Sequence, residues 1–336
     1  MTILMTGLCE KGADQIWKQC NDAMYAQGVT WLEEAAYAGD AEAWFFLGHC
    51  YSWGDGAVGF NEKKAYECYL RGASAGSARA VLGALRAGQY DEQMKQSARY
   101  SIEESYRQVR DAAEMGDVYA AWQMGEAVEW EDLADYMPQT ESAREQCLFW
   151  YERAADGGII PAMVKMGKCC QNGTYREKDE KEALRWANQC AASGEVWGLF
   201  QMGEHYRQEE DWEVAFQYDY AAAKQGSSRA MLYLGQMYLN GQGTERDIQA
   251  AVQALEGAAA RNEAESFEEL GNLFYQDELV ERDDEKAFYW YGKAYAAGIK
   301  EAALPLARLY LRPSDEQDTV RAEKLLREAA GIETDG

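Results

Sequence analysis

Proline and histidine are scarce in this chain of 336 residues, which has four prolines and two histidines. So little proline favours long helices over an all-β fold with its many turns. Basic residues are also few, because 33 Lys and Arg stand against 58 Asp and Glu, for a net charge of −25. A surface this acidic repels phosphate backbones and anionic lipid headgroups, so neither nucleic acid nor a membrane is expected as a partner. It favours basic protein partners, although charge runs often only solvate helix faces.

Long apolar runs and catalytic motifs are absent from the sequence as well. No window approaches 18 uninterrupted apolar residues and the first residues lack a basic start, so we expect a cytoplasmic protein. His49 and His205 stand far apart, and no HExxH, CxxC or phosphate-binding glycine loop occurs. No nucleophile constellation is recognisable either. We therefore expect no enzyme, no cofactor and no metal site.

The cysteines do not recur at equivalent positions, which argues against a disulfide framework. There are eight of them: Cys9, Cys20, Cys50, Cys68, Cys147, Cys169, Cys170 and Cys190. We expect reduced thiols that act as small core residues. Cys50 and Cys68 share a predicted helix pair and form the one pair worth testing for a bridge.

A glycine-based repeat organises the chain. Each copy opens with a Gly or Asn, at residues 39, 76, 116, 158, 194, 226, 262 and 298. Most copies carry Leu or Met followed by a second Gly nine residues after the opening, and a Tyr or Phe three residues later. At 100° per residue these residues share one helix face. The mid-helix glycine costs about 1 kcal/mol of helix propensity, so we expect a neighbouring helix to approach it closely.

A second helix precedes each opening and carries an aromatic residue and an Ala pair. Trp186 and Ala191 before Gly194 follow this pattern. The Gly or Asn that opens the next copy directly follows this second helix, and it suits the left-handed position after a helix C-terminus. Residues expected to cap the second helices at their N-termini are Asn61, Asp179, Asp247 and Asp283. Two helices per copy and about nine copies predict an all-α fold, a right-handed superhelical α-solenoid of helix-turn-helix hairpins.

The predicted organisation has three parts. They are a degenerate N-terminal hairpin over 1–38, the repeat array over 39–317, and a capping helix with a tail over 318–336. In the second copy Leu85 replaces the second glycine, which makes 86–115 the least regular stretch. Ile16, Trp17 and Met24 leave open an apolar face for dimerisation, so both a monomer and a weak homodimer are compatible with the sequence.

These patterns resemble the Sel-one-like repeat family, a branch of the tetratricopeptide-like α-solenoids, over about residues 28–331. Two copies are most similar to the family pattern. The first carries it at Ala43, Leu47, Gly48, Tyr51, Lys64, Ala65, Tyr69, Ala73 and Gly76, and the second at Lys286, Ala287, Trp290, Tyr291, Ala294 and Gly298. The resemblance implies a non-catalytic scaffold for protein–protein contact, often in bacterial signalling, secretion or host-interaction settings. It does not name the partner, because a fold alone does not supply a function.

In a solenoid of this type the first helix of each pair is expected to line a concave groove. Helical spacing then predicts a row of groove-facing residues, which we call the predicted row. It comprises Phe45, His49, Leu82, Arg86, Tyr119, Trp122, Val164, Lys168, Trp197, Phe200, Leu232, Leu304 and Arg308. An exposed apolar stripe with aromatic anchors and flanking charges indicates a site for a protein or peptide. The alternative is that the stripe packs on the next helix and is core.

Two functions are compatible with these features. The first is a scaffold or adaptor that holds a peptide or protein in the groove. The second is an acidic neutralising protein, such as an immunity protein or inhibitor, which binds a basic partner through its charge and weakens steeply with salt. Residues 126–145 carry the densest acidic run, namely Glu126, Glu129, Glu131, Asp132, Asp135, Glu141 and Glu145. That run is either a dock for a basic partner or a solvated loop.

Overall fold

The computed structural model describes residues 5–19, 22–54, 58–131, 143–276, 279–311 and 316–329. Within these residues the secondary structure is helical and contains no strand, which confirms the all-α prediction. The chain divides into two compact units, Met1–Gly198 and Leu199–Gly336. Each unit has its own core of buried apolar side chains.

The first unit contains α1 to α11 and the start of α12. Their bounds are α1 Gly7–Trp17, α2 Asp22–Tyr37, α3 Ala41–Trp53, α4 Glu62–Ala75, α5 Ala78–Arg86, α6 Glu92–Ser97, α7 Ile102–Glu114, α8 Val118–Glu129, α9 Ala143–Asp156, α10 Ile160–Asn172, α11 Glu180–Ala192 and α12 Val196–Gln208. Successive helices pair in chain order, α1 with α2 and α3 with α4. The short α6 lies between the two helices of the irregular second copy.

The second unit contains the rest of α12 and the helices to α19. Their bounds are α13 Trp212–Lys224, α14 Ser228–Asn240, α15 Ile248–Ala259, α16 Ala264–Tyr275, α17 Asp284–Ala296, α18 Ala303–Tyr310 and α19 Glu316–Ala329, with a 3₁₀ turn at Lys300–Ala302 before α18. The helices again pack as pairs, α14 with α15, α16 with α17 and α18 with α19. Over both units the described residues give nine helix pairs, as the repeat predicts.

The residues that start and end these helices match the prediction. Asn61, Asp179, Asp247 and Asp283 each accept a hydrogen bond from the backbone N–H three residues on, at 3.0 Å. The opening residues have the left-handed backbone that ends a helix, with φ between 61° at Asn262 and 103° at Gly76. Glycine tolerates this conformation without steric cost, which explains its recurrence at each opening.

The glycine inside the first helix of a pair receives a side chain from a neighbouring helix, as predicted. A Cβ atom built on Gly48, Gly125 or Gly271 would lie 2.6 Å from the ring of Tyr69, Tyr151 or Tyr291, respectively. Each tyrosine comes from the second helix of the same pair and is buried. The missing Cβ therefore makes room for an aromatic ring, and the buried ring offsets the helix propensity that glycine gives up.

One pair fills this space differently. In α11 the residue equivalent to those tyrosines is Ala187, which leaves Gly167 of α10 without a ring from its own pair. Trp197 of the next helix takes the place, because a Cβ on Gly167 would lie 2.1 Å from its ring. This contact assigns Trp197, a member of the predicted row, to helix packing.

Paired glycine substitutions in the second unit test the space left by the missing Cβ, which we call the glycine notch. Gly271→Ala places a methyl group against the buried Tyr291 ring, so we expect a loss of about 1–2 kcal/mol of unfolding free energy despite the better helix propensity. Gly292→Ala, one residue beyond that ring, meets nothing within 4 Å and should gain up to about 1 kcal/mol. Urea unfolding of both variants measures the difference. Equal effects would mean that the ring does not need the notch.

Candidate functional site

The predicted row is not exposed along its whole length. Phe45, Leu82, Tyr119 and Leu232 are buried, which corrects the expectation that they face a groove. Phe45 lies against Gly83 of α5, and Leu232 belongs to the core that contains Leu255. At these positions the alternative of helix packing holds.

Tyr119 is buried for a different reason, because α1 lies across it. The Tyr119 hydroxyl donates a hydrogen bond of 2.6 Å to Asp14, and Lys18 lies 5.5 Å above the Tyr119 ring. Trp17 contacts Phe46 of α3 at 5.2 Å between ring centroids and Tyr119 of α8 at 6.2 Å. Helix α1 thus packs on α3 of the second helix pair and on α8 of the fourth helix pair.

This placement also removes the apolar face considered for dimerisation. Ile16 and Trp17 are buried, whereas Met24 is exposed. The two larger side chains of that face are covered within the first unit and are not available to a second copy.

Beside α1, the first unit has a cavity of about 510 Å³, which we call the first cavity. Three residues of the predicted row line it, namely Trp122 of α8 and Val164 and Lys168 of α10. Its other lining residues are Ile16, Tyr25, Glu126, Glu129, Tyr151, Ile160, Pro161, Lys165 and Glu195. These three members of the predicted row are therefore brought together beside Ile16, near the end of α1.

Negative side chains outnumber positive ones in the first cavity. Glu129 forms an ion pair with Lys165 and accepts a hydrogen bond of 2.7 Å from the Tyr151 hydroxyl, which satisfies both of its oxygens. Glu126 and Glu195 remain on the acidic side, against Lys168, which is exposed. The Trp122 indole N–H has no hydrogen-bond partner among the described residues. An apolar wall thus stands beside carboxylates that exceed the nearby positive charge.

A narrow crevice on the other side of Glu126 collects four more residues of the predicted row. Phe45, His49, Leu82 and Arg86 line it together with Glu126. The His49 imidazole lies 3.9 Å from the Glu126 carboxylate. The Arg86 guanidinium lies 5.1 Å from the Trp53 ring and 4.5 Å from the Trp130 ring, both of which are exposed. Glu126 is therefore shared between the crevice and the first cavity.

The second unit has a cavity of about 360 Å³, the second cavity, on α12, α13, α14 and α16. Arg207, Tyr233, Gln236, Asn240 and Glu269 are among its lining residues. Tyr233, which lines it, is the neighbour of the buried Leu232. The predicted row is therefore off by one residue here. Phe200 contacts the cavity wall through Tyr233, at 6.0 Å between centroids. Leu304 and Arg308 are exposed on α18 and line neither cavity.

Arg207 and Asp219 form a buried ion pair beside the second cavity. Asp219 stands where other pairs have the tyrosine that fills the glycine notch, and its carboxylate would meet a Cβ on Gly203 at 2.5 Å. The pair thus occupies the space of a tyrosyl ring. Burial raises the pKa of Asp219 to about 6, against the lowering effect of the Arg207 guanidinium.

This pKa gives the second unit an unusual pH dependence. Because the folded-state pKa lies above the unfolded value, the folded chain takes up a proton that the unfolded chain does not. We expect the second unit to gain about 1 kcal/mol as the pH falls from about 7 to about 5, to approach a gain of roughly 3 kcal/mol below the unfolded-state pKa of 3.8, and to lose this stability as the pH rises again. Hydrogen exchange in α13 and α14 measures this, and Asp219→Asn should remove the dependence. Falling stability over that range would contradict the assignment.

The described cysteine thiols are buried. The seven cysteines among the described residues are free and buried, including Cys50 and Cys68, while Cys20 lies outside the described residues. Burial raises the pKa of the Cys68 and Cys147 thiols to about 12. No cluster of three or more potential metal ligands occurs among the described residues. Within the same residues, no helix has the length and apolar character needed to cross a membrane.

The predicted row does not include the cavity residues Glu126 and Gln236, although Glu126 was named in the acidic run. Both lie ten residues after an opening glycine, the same position as His49, Arg86 and Lys168 in the predicted row. That shared position could have identified both residues from the sequence, but the prediction gave more weight to apolar side chains. In the acidic run, Glu126 and Glu129 face the first cavity and Glu131 is exposed, whereas Asp132, Asp135 and Glu141 lie outside the described residues.

Comparisons with known proteins agree with this architecture. The Sel1 repeat profile matches seven segments that together cover more than half of the chain: residues 23–40, 41–77, 118–159, 160–195, 228–262, 268–299 and 301–330. An uncharacterized protein of Neisseria meningitidis serogroup B is 26% identical over 213 residues, which is 62% of this chain and 42% of that protein. The chain thus spans less than half the length of this relative.

Two solved structures show the same fold. A protective antigen of uropathogenic Escherichia coli with an SLR fold superposes with a TM-score of 0.66 at 22% identity, over 96% of this chain and 68% of the antigen. A Sel1 repeat protein from Oxalobacter formigenes has a TM-score of 0.53 at 23% identity, over 75% of this chain and 99% of that protein. The expected α-solenoid of helix-turn-helix pairs is confirmed by this likeness.

Proposed function

The chain belongs to the Sel1 repeat family, and from this premise we propose that it is a non-catalytic protein-binding module whose first cavity receives a segment of a partner protein. Proteins of this repeat generally mediate protein–protein interaction. The single observation that carries the proposal is the convergence of Trp122, Val164 and Lys168 on one open cavity beside α1. Tryptophan in a partly enclosed pocket is the residue type that contributes most to interface energy.

The chemistry of the first cavity favours a particular partner segment. Trp122 and Val164 offer apolar area for a bulky aliphatic or aromatic side chain. Glu126 and Glu195 then favour a basic side chain next to it, because Lys165 is already paired with Glu129. The unpartnered Trp122 indole N–H suits a main-chain carbonyl of the partner. We therefore propose a segment in which Arg or Lys stands beside a large apolar residue.

Selection from a displayed peptide library tests the proposal. We expect recovered peptides to combine a basic and a bulky apolar residue, and Trp122→Ser to weaken their binding by about tenfold or more. Glu126→Gln should weaken them several-fold and reduce the dependence on salt. Phe149→Ser is the matched control, because Phe149 is exposed on α9 of the same unit and does not line the cavity.

The neutralising alternative gives a different pattern in the same experiment. A charge-only binder should recover peptides rich in Lys and Arg without an apolar anchor. Their affinity should fall steeply with salt and stay unchanged in Trp122→Ser. That pattern would replace the proposed cavity with the acidic surface, and a failure to recover any peptide family would remove both.

A further inference from the structure

The second cavity differs from the first in its chemistry. Its walls carry side-chain amides and charged groups, with Arg207 from α12, Gln236 and Asn240 from α14, and Glu269 from α16. Trp212, Tyr233, Met237 and Leu239 form the apolar part of the lining. A cavity with this composition can recognise its ligand by hydrogen bonds as well as by burial of an apolar side chain.

Arg207 is held rigidly at the edge of this cavity. Its guanidinium lies 3.7 Å from the centre of the Tyr233 ring and 5.6 Å from that of Phe200, and its side chain is only 10% exposed. The Nη1 nitrogen pairs with Asp219, whereas Nη2 has no partner among the described residues. A buried donor without an acceptor is costly, so an acceptor oxygen supplied from the cavity would be stabilising there.

The amide side chains add both donors and acceptors. Gln236 donates a hydrogen bond of 2.8 Å to the Glu269 carboxylate, and Asn240 donates one of 3.3 Å to the side-chain Oε1 of Gln242. Each of the two amide nitrogens carries a second N–H, and each amide oxygen accepts as well. The wall therefore offers both donors and acceptors, as a peptide main chain also does.

The charge balance selects against ions. Asp219 already neutralises Arg207, and Glu269 adds a further negative charge, so a carboxylate ligand would meet two carboxylates and one guanidinium. A cation would meet the Arg207 guanidinium. A neutral group that both donates and accepts avoids both conflicts.

We propose that the second cavity is a separate binding site for the main-chain amides of an extended peptide segment. One peptide carbonyl accepts from Arg207 Nη2, and neighbouring amides bond to Gln236, Asn240 and Glu269. Such recognition is tolerant of sequence, since every peptide bond offers the same groups. The site does not depend on the proposed use of the first cavity, because all of its residues lie in the second unit.

Side-chain NMR of the full chain, labelled with ¹⁵N at Gln and Asn, tests this site. The probe is an acetylated and amidated Ser-Gly hexapeptide, which has no charge and no apolar side chain. We expect it to shift the Gln236 and Asn240 amide signals. Methylation of the peptide nitrogens should weaken binding by about fivefold, the effect of losing one hydrogen bond. Sodium acetate, as the anion probe, should leave these signals in place.

Variants complete the test. Gln236→Leu should weaken the hexapeptide by about fivefold, whereas Gln225→Leu, at the exposed end of α13, should leave the affinity unchanged. Asn240 is exposed, so Asn240→Leu provides a second substitution in the cavity whose effect does not depend on whether the fold tolerates Gln236→Leu. Larger shifts with acetate than with the hexapeptide, no shifts with the hexapeptide, or equal affinity for the methylated peptide would each overturn the proposal. All readouts lie in the second unit, so a negative result would not count against the function proposed for the first cavity.

Discussion

Arg79→Met is expected to destabilise the first unit by about 3–5 kcal/mol, because it leaves buried carboxylates without their counter-charge. Arg79 is completely buried at the start of α5. Its guanidinium forms an ion pair with Asp117 at the start of α8 and lies 3.7 Å from Glu42 at the start of α3. One arginine therefore ties together the first turns of three helices, and methionine retains its stem but not its charge.

The pH dependence of this variant distinguishes lost charge from lost packing. Burial already raises the pKa of Glu42, although Arg79 lowers it. Without Arg79 that pKa rises further above the unfolded value, so the variant should regain stability as the pH falls. Glu42→Gln in the Arg79→Met background should recover part of the loss at neutral pH. Urea unfolding of both variants measures the two effects.

A matched arginine provides the control. Arg107 of α7 is 57% exposed and pairs with Glu103 four residues earlier. Arg107→Met should cost less than about 1 kcal/mol, as exposed ion pairs do. Similar losses for Arg107→Met and Arg79→Met would show that the Arg79 cluster is not specially important.

Trp17→Ala should cost about 3–5 kcal/mol and release α1 from the face of α3 and α8. Trp17 is buried, with its ring centroid 5.2 Å from Phe46 and 5.4 Å from His49. Its removal leaves a cavity that the rings around it do not fill. Urea unfolding measures the loss, and hydrogen exchange of the α1 amides should rise selectively.

The control for Trp17 is a tryptophan of the same unit outside the core. Trp130 follows α8 and is 59% exposed, so Trp130→Ala should change the unfolding free energy by less than about 1 kcal/mol. Protected α1 amides in Trp17→Ala would mean that α1 is held by its partner α2 alone. The crossing contact with Tyr119 would then be energetically unimportant.

The parts of the fold that depend on local pattern were predictable from the sequence. The helix pairs, their Asp and Asn caps and the left-handed openings depend on residues within a few positions of one another. The close approach at Gly48 and Gly271 was predictable too, because the cost of a helical glycine calls for compensation. These features recur in most copies, so the copies support one another.

The features that were missed depend on contacts between distant residues. The packing of α1 on Tyr119 joins residues 105 positions apart, and no periodicity encodes it. Trp197 reaches Gly167 only because Ala187 is small, which is a substitution of one residue in one copy. In the second unit the predicted row was off by one position, because Leu232 and Tyr233 are both apolar enough to fill either role. Exposure was decided by the neighbouring helices.

The crossing of α1 has a consequence for how the first unit folds. Repeat arrays ordinarily fold by nearest-neighbour growth, in which each pair is stabilised as soon as the next one docks. Here Trp17 and Asp14 complete their contacts only after Tyr119 has been synthesised and α8 has formed. This raises the contact order of the unit and slows its folding relative to a strictly sequential array. During translation the side of α1 that faces Tyr119 stays exposed until α8, the first helix of the fourth pair, has formed, so this segment of the ribosome-bound chain needs chaperones longer than a pair that docks on its neighbour at once.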